Sequence, residues 1–419
     1  MKIVHAADLH VDSPLRGLER YEGAPVDQIR RATRHALENL VSFCISEQAE
    51  LLLLAGDLFD DDWRDYGSGL FFVSQLARLS ESNTRGVWSR GNHDAASKIT
   101  RRLKLPAHVY ELASRRPESR IFEDLGVAVH GQGFATAAVT DNLAERYPHP
   151  ISGLLNVGLL HTALEGREGH GRYAPCQLDH LVNKGYDYWA LGHVHKREVL
   201  AQNPWVVFPG NLQGRHAKET GPKGAFLLHV ESERVALVQP VVLDVVRWEV
   251  CEVDASAAAS PDDVVDLTGS VLEQCLQHAD GRLVAARVVV TGASRAHTHL
   301  RSDPERFSAE VRARGIELFG NGLWVEQVRL ETRAELDLEQ LRSRDDPAGH
   351  LARALHELRA DSAQLLELRE HFTELYQKLP NELRTAPLGL PLDDPETLRA
   401  ALEDVEQLLL PRLLSLEEP

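Results

Sequence analysis

Cysteine is scarce in this chain: four residues in 419 (Cys44, Cys176, Cys251, Cys275), none in C-x-x-C spacing. That argues against a disulfide framework and a cysteine zinc site, and it points to a reducing compartment, the cytoplasm. Long apolar runs are missing too. None approaches the roughly 20 residues of a membrane span, so no membrane partner is expected. The opening MKIVHAADLH carries no signal-peptide pattern. Positive charge is also in deficit, with 46 basic against 63 acidic residues and a net charge of −17. By itself that balance argues against a nucleic-acid binder. The deficit is uneven. Residues 334–419 hold 9 basic and 19 acidic residues, so −10 lies there, whereas residues 85–120 hold nine basic against three acidic, a local +6. From charge alone that excess reads equally as a solvated face or as an anion-binding surface.

What is present is a buried strand that ends in acid. LLLLAGDLFD, residues 51–60, runs four leucines into a glycine and then Asp57 and Asp60. A short apolar run closed by a turn signal reads as a strand buried on both faces, with its carboxyl end where open α/β sheets place ligands. Around it strands and helices alternate. Strands are expected at 2–6, 86–90, 121–130 (a pair broken at Leu125-Gly126), 153–161, 188–192, 199–208 and 224–242, and helices at 28–47, 67–79 and 177–184. A layered α/β sandwich with mixed sheets fits this order. Residues 246–333 read strand–helix–strand–helix–strand, a small α+β domain. Residues 334–346 read as a charged linker and 347–378 as one long helix with a leucine stripe. A second helix is expected over 394–414. This tail shows no core of its own in the pattern, and it reads as a helical hairpin or as a docking element.

Five polar clusters fall at strand ends: Asp8-x-His10, Gly56-Asp57, Gly91-Asn92-His93-Asp94, His161 and Gly192-His193-x-His195. Each alone is weak, because a histidine at a strand end is usually structural. Together they supply oxygen and imidazole donors suited to two divalent ions such as Mn²⁺, Fe²⁺ or Zn²⁺. Two cations about 4 Å apart repel each other and need a shared carboxylate, and a water between them loses much of its proton affinity. Asp57 is the natural bridge. Asn92 offers a neutral oxygen that keeps the site cationic enough for an anionic ester. His93 suits an acid or transition-state donor, with Asp94 orienting it.

The ordered series D-x-H, GD, GNHD, H, GH-x-H resembles the calcineurin-like metallophosphoesterase superfamily over residues 1–243. HAADLHVDSPLRGL, AGDLFD and PGNLQGRHAKETGPKG are similar to the bacterial DNA-repair exonuclease branch, the SbcD- and YhaO-like proteins. The resemblance implies a four-layer αββα sandwich, a small α+β capping domain over 244–333, and a charged linker with a helical tail over 334–419. It implies that Asp8, His10 and His195 hold one metal, that Asn92, His161 and His193 hold the other, that Asp57 bridges, and that His93 is the catalytic histidine. Mn²⁺ is the expected ion, with Fe or Zn as alternatives. DNA is the implied substrate, an SMC-like coiled-coil ATPase the implied partner of the tail, and a homodimer the implied assembly. One position departs from the pattern. The double-strand-break nucleases usually carry a histidine three residues after the bridging aspartate, and here that residue is Asp60. A carboxylate there would repel an incoming anion unless it is protonated, paired with a cation such as Arg64, or turned away.

Three functions follow: a two-metal phosphodiesterase acting on DNA, a phosphatase or phosphodiesterase for a small molecule or nucleotide, and a scaffold subunit with an idle metal site. The complete ligand set counts against the scaffold. His216 is a further candidate for substrate contact or for a local loop bond.

Overall fold

The computed structural model describes residues 1–13, 15, 23–60, 66–96, 103–164, 173–380 and 394–415. Arg64, Lys98, Arg101 and Arg102 lie outside them.

Alternation along the leucine run sets the layers. All five residues of β2 (Leu51–Ala55) are buried. Leu52 and Leu54 pack under α1 (Val26–Ser46) and α2 (Tyr66–Arg78), among Leu37, Leu40, Phe72 and Leu76. Leu51 and Leu53 point the other way, into a cluster with Val129, Val157, Leu159 and Tyr188 of a second sheet. Side chains alternate faces along a strand, so four consecutive leucines mean two apolar faces.

The first sheet places β1 (Lys2–Ala6) beside β2, then β3 (Arg85–Ser89) and β4 (Val109–Glu111), all parallel. The short helix α3 (Asn92–Ala96) follows β3. The second sheet begins with the hairpin of β5 (Glu118–Phe122) and β6 (Val127–Gly131). β7 (Leu155–His161) and β8 (Tyr188–Gly192) continue it in parallel, with α4 (Leu178–Val182) between them in the chain. β9 (Glu198–Gln202) and β10 (Trp205–Phe208) close that sheet in the order β5-β6-β7-β8-β10-β9. The hairpin β11 (Gly224–Glu231) and β12 (Arg234–Val242) returns to the first sheet and pairs antiparallel with β1. The outer face of the second sheet (Leu160, Trp189, Leu191, Val206, Phe208) packs against Phe134, Tyr147 and Leu181. The result is the expected layering, helices outside and two sheets between.

The remaining chain forms β13 (Val246–Asp254), α5 (Pro261–Gln277), β14 (Leu283–Thr291), β15 (Ala293–Ser294), α6 (His297–Ser302), α7 (Pro304–Phe319), β16 (Leu323–Leu330) and β17 (Arg333–Ala334). β13, β14 and β16 make a three-stranded sheet. By their contacts the residues divide into two compact units. One comprises Met1–Val250, Glu273–Arg287 and Phe319–Glu326, the other Cys251–Leu272, Val288–Leu318 and Gln327–Pro419.

Three expectations for the tail are corrected: the single helix, the linker without a helix, and the absence of a core. The single helix over 347–378 is two, α9 (Pro347–Ala360) and α10 (Ser362–Lys378). Asp361 between them adopts an extended conformation, and its carboxylate accepts from Ala363 N and Gln364 N. An aspartate that caps a new helix start outcompetes the apolar periodicity running through it. The charged linker also contains α8 (Leu338–Ser343), capped by Asp337 accepting from Gln340 N. The last helix, α11 (Pro395–Ser415), packs on α9 and α10, so Leu355, Leu365, Leu398 and Leu402 form a small core within the tail. Among the described residues no helix is long and apolar enough to cross a membrane.

Candidate metal centre

The parallel strands deliver their polar ends to one place. Asp8 and His10 follow β1, Asp57 follows β2, Asn92 and His93 follow β3, His161 ends β7, and His193 and His195 follow β8. The ligand atoms of Asp8, His10 and His195 all lie within 4.8 Å of one another, and so do those of Asp57, His161 and His193. Asn92 Oδ1 sits 3.0 Å from His161 Nε2, which adds it to the second group. All seven residues proposed as ligands are therefore gathered here, and each donor group takes residues from both sheets.

Backbone geometry explains why glycine precedes so many of these residues. A Cβ on Gly91 would lie 2.1 Å from Asp57 Oδ1, and one on Gly192 would lie 1.8 Å from the Ala55 carbonyl oxygen. The loops approach one another too closely for any side chain there. Several of the candidate ligands also bear left-handed backbone: Asp8 at φ 51, His10 at φ 43, Asp57 at φ 52 and His193 at φ 101. Such conformations cost on the order of 1–3 kcal/mol each and persist where the surroundings over-determine them. Here the loops after β1 and β2 are laced together by Asp8 N to Gly56 O (3.1 Å), His10 N to Asp57 O (3.1 Å) and Val11 N to Leu58 O (2.9 Å).

The imidazoles are oriented by what their Nδ1 atoms touch. His161 Nδ1 donates to the Ala55 carbonyl at 2.9 Å. His10 Nδ1 meets Asp60 Oδ1 at 2.6 Å, and His195 Nδ1 meets Glu219 Oε1 at 2.7 Å. In each case Nε2 is turned inward, and the two Nε2 atoms of His10 and His195 face each other at 3.2 Å. Rings held this way, with carboxylate and amide oxygens beside them, form a donor set that fits divalent cations.

The carboxylates and imidazoles shift one another's proton affinity. Burial alone would raise the Asp57 carboxyl, yet His161, His10 and His93 hold it well below the usual carboxylate range. Burial lifts Asp8 to about 6, opposed by His195 and His161. Burial would depress His161, but the Asp57 carboxylate, 3.4 Å away, lifts it to about 9.

His93 is half-buried at the start of α3. Its backbone N donates to Asp57 Oδ1 at 3.1 Å, and its ring centroid is 5.3 Å from that of His10. Asp94 was expected to orient the His93 ring, and the structure gives its carboxylate a different set of donors. Oδ1 accepts from Leu58 N (3.0 Å) and Phe59 N (3.3 Å), and Oδ2 accepts from Gly91 N (3.1 Å). Asp94 therefore ties the loop after β3 to the loop after β2. Burial, reinforced by Asp57, lifts it to about 7.

Asp60 lies outside both donor groups and is not a bare repulsive charge. Besides His10 it accepts from Ser13 Oγ at 2.6 Å and lies 3.4 Å from Arg215 Nη1. Burial alone would raise its carboxyl, but the bonds to His10 and Ser13 and the nearby Arg215 hold it far below the usual range. Among the described residues the cation beside Asp60 is thus Arg215, 155 positions away along the chain. Sequence reading missed Arg215 and Glu219. The signal was the GRHAKE run, where only His216 stood out. His216 is about half exposed, with Nε2 3.7 Å from Glu219 Oε1. His5 and His130 are buried, with His5 bonded to Tyr188 and Leu191 and His130 to Ser119 and Asn156.

Comparison with known proteins completes the picture. The family model for calcineurin-like phosphoesterases matches residues 1–197, and the model for the middle domain of the metallophosphoesterase YhaO matches residues 248–333. The metallophosphoesterase YhaO of Bacillus subtilis (strain 168) is 34% identical over 296 residues, spanning 70% of this chain and 72% of that protein. This chain belongs to the calcineurin-like metallophosphoesterases. It is a phosphoester hydrolase of a family that uses divalent metals. More distant similarity extends to two proteins named DNA double-strand break repair protein Mre11. That of Methanopyrus kandleri is 28% identical over 372 residues (81% of this chain, 75% of that one). That of Sulfurisphaera tokodaii is 24% identical over 268 residues (58% and 63%).

Proposed function

We propose that this metallophosphoesterase cleaves phosphodiester bonds of DNA with two divalent ions, Mn²⁺ foremost. The observation that carries the reading is the pair of donor groups, Asp8–His10–His195 and Asp57–Asn92–His161–His193, meeting at the ends of parallel strands. Two such ions, bound there, supply Lewis acidity toward the phosphoryl oxygens and an activated water. The chain's own residues do the rest. Asp57, in the second group, would bridge toward the first and balance their charge. His93, half-exposed beside His10, gives a proton to the departing alkoxide. Asp94 keeps Asn92 and His93 in place by clasping three backbone amides. The Mre11 similarity supports DNA as the substrate, and the division into a catalytic domain (1–243), a cap (244–333) and a helical tail (334–419) belongs to the same reading.

The basic stretch over 85–120 contributes less charge than its composition suggests. Arg85 is paired with Asp124 and Arg90 with Glu111, while Arg120 keeps its charge over the Tyr110 ring at 3.6 Å. Lys104, Arg115 and Arg116 are exposed and would hold the strand backbone, which makes affinity salt-dependent. The tail is proposed to dock on an SMC-like ATPase. Binding that survives truncation after Arg333 refutes that part.

The test is Mn²⁺-dependent shortening of labelled DNA, lost in His93→Ala with circular dichroism unchanged. The net charge of −17 favours a smaller phosphodiester as the competing substrate. Full activity on an aryl phosphodiester with none on any DNA would decide for it.

A further inference from the structure

Asp60, Arg215 and Glu219 form a closed circuit with the two histidines of one donor group. His10 Nδ1 meets Asp60 Oδ1 at 2.6 Å. Asp60 Oδ1 lies 3.4 Å from Arg215 Nη1, and Arg215 Nη2 donates to Glu219 Oε1 at 3.1 Å. Glu219 Oε1 meets His195 Nδ1 at 2.7 Å, and His195 Nε2 faces His10 Nε2 at 3.2 Å. Five side chains from four loops thus make a ring whose one open junction is the gap between two imidazole nitrogens.

Each link has a chemical sense. An ionised carboxylate accepts only, which favours the tautomer with the proton on each Nδ1 and the Nε2 lone pair toward the gap, while Arg215 Nη2 also lies 3.3 Å from His195 Nδ1. Two lone pairs at that separation are mutually repulsive unless a cation lies between them. The two carboxylates would repel each other as well, and the guanidinium resolves that. Its planar fork is rigid and can address two carboxylates at once, which an ammonium cannot do in the same way. The Arg215 side chain is 15% exposed, so the pairing is shielded. The other oxygens are also used: Asp60 Oδ2 accepts from Ser13 Oγ at 2.6 Å, and Glu219 Oε2 accepts from Asn211 Nδ2 at 2.9 Å and from Arg215 N at 2.8 Å.

The second donor group is built differently. His161 rests on the Ala55 backbone carbonyl. One ion is therefore oriented by strand backbone, the other by a side-chain circuit that reaches into the loop carrying residues 211–219.

We infer that Arg215 is a positioning residue for one of the two metal ions, acting through Asp60 and Glu219 to aim His10 and His195 at a shared cation. This rests on the two-metal reading above. It also accounts for Asp60: the carboxylate three residues past the bridge serves a ligand rather than the substrate.

The test measures Mn²⁺ binding to the full chain by equilibrium dialysis and calorimetry, without substrate. In Arg215→Met one of the two ions binds on the order of 10–100-fold more weakly, the range for losing an outer hydrogen-bond partner, while the other keeps its affinity. Asp60→Asn, which retains an acceptor oxygen for His10, loses less than Asp60→Ala. Should Arg215→Met fail to fold, Arg215→Lys reads the same quantity, since one ammonium keeps the charge but not the fork. Unchanged affinity at both sites overturns the positioning role and leaves the two-metal reading intact. Equal weakening at both sites, together with a lower melting temperature of the metal-free protein, makes Arg215 merely structural and also overturns it. A wild-type chain that binds no Mn²⁺ overturns both the inference and the reading beneath it.

Discussion

Binding of metal at the Asp57–Asn92–His161–His193 group should release a proton, and His161 sets the amount. The ring is fully buried, its Nδ1–H is committed to the Ala55 carbonyl, and its Nε2 lies 3.4 Å from Asp57 Oδ2. Asp57 lifts its pKa to about 9 against the burial that would lower it. Because the folded value lies above the ordinary histidine value of 6.5, the His161–Asp57 ion pair stabilises the metal-free protein fully below pH 6.5. That contribution is lost as pH rises through about 9. A metal needs the neutral ring, so the proton must leave first. At pH 7.5 the gap of roughly 1.5 pH units costs about 2 kcal/mol, or about 30-fold in affinity. Asp8, at about 6, is already mostly ionised at that pH, while Asp94, at about 7, still holds a fraction of a proton that the incoming charge expels. The expected count at this group is between one and two protons per ion. Calorimetry of Mn²⁺ binding in buffers of different ionisation enthalpy reads it directly. Affinity should rise about tenfold per pH unit between pH 6.5 and 8.5, and His161→Gln should abolish most of the release. Binding with no proton release and no pH dependence would refute the reasoning.

The close approach of the loops makes Gly91→Ala damaging. Its Cβ would fall 2.1 Å from Asp57 Oδ1, so an overpacking cost of about 1–3 kcal/mol by urea denaturation and weaker Mn²⁺ binding are expected. Gly126→Ala, where an added Cβ meets nothing within 4 Å, should cost only the left-handed strain at φ +65 and leave metal binding unchanged. In the tail, Leu365→Ala removes a fully buried side chain from the cluster shared with Leu355, Leu398 and Leu402. A loss of about 2–5 kcal/mol is expected for that element, and a loss below about 0.5 kcal/mol would show that the cluster does not hold the helices together.

Much of this architecture was legible because it is written in short-range pattern. The doubly apolar β2, the helix α1 with Ile29, Ala32, Ala36 and Leu40 at helical spacing, and the β5–β6 turn at Leu125-Gly126 all follow from periodicity and turn chemistry. The donor residues were legible for another reason. Metal chemistry restricts residue types so strongly that D-x-H, GNHD and GH-x-H stand out without any distance. What remained hidden was long-range. Nothing near Asp60 announces that its cation is Arg215, because that pairing exists only once the loop after β10 folds over the ends of β1 and β2. The break at Asp361 was hidden differently. A capping aspartate and an apolar stripe make opposite demands on the same stretch, and the sequence alone does not say which prevails.

Each donor group draws from both sheets: Asp8 and His10 with His195, and Asp57 and Asn92 with His161 and His193. Ions held there, as proposed, would be rivets as well as reagents. They would join the two sheets at the strand ends, where the shared apolar layer of Leu51, Leu53, Val157 and Tyr188 gives way to polar loops. Catalytic competence and cohesion of the sandwich then share the same bonds, and by linkage whatever loosens that layer also loosens the metal. A mutation deep between the sheets, far from any phosphate, becomes a mutation in cofactor affinity.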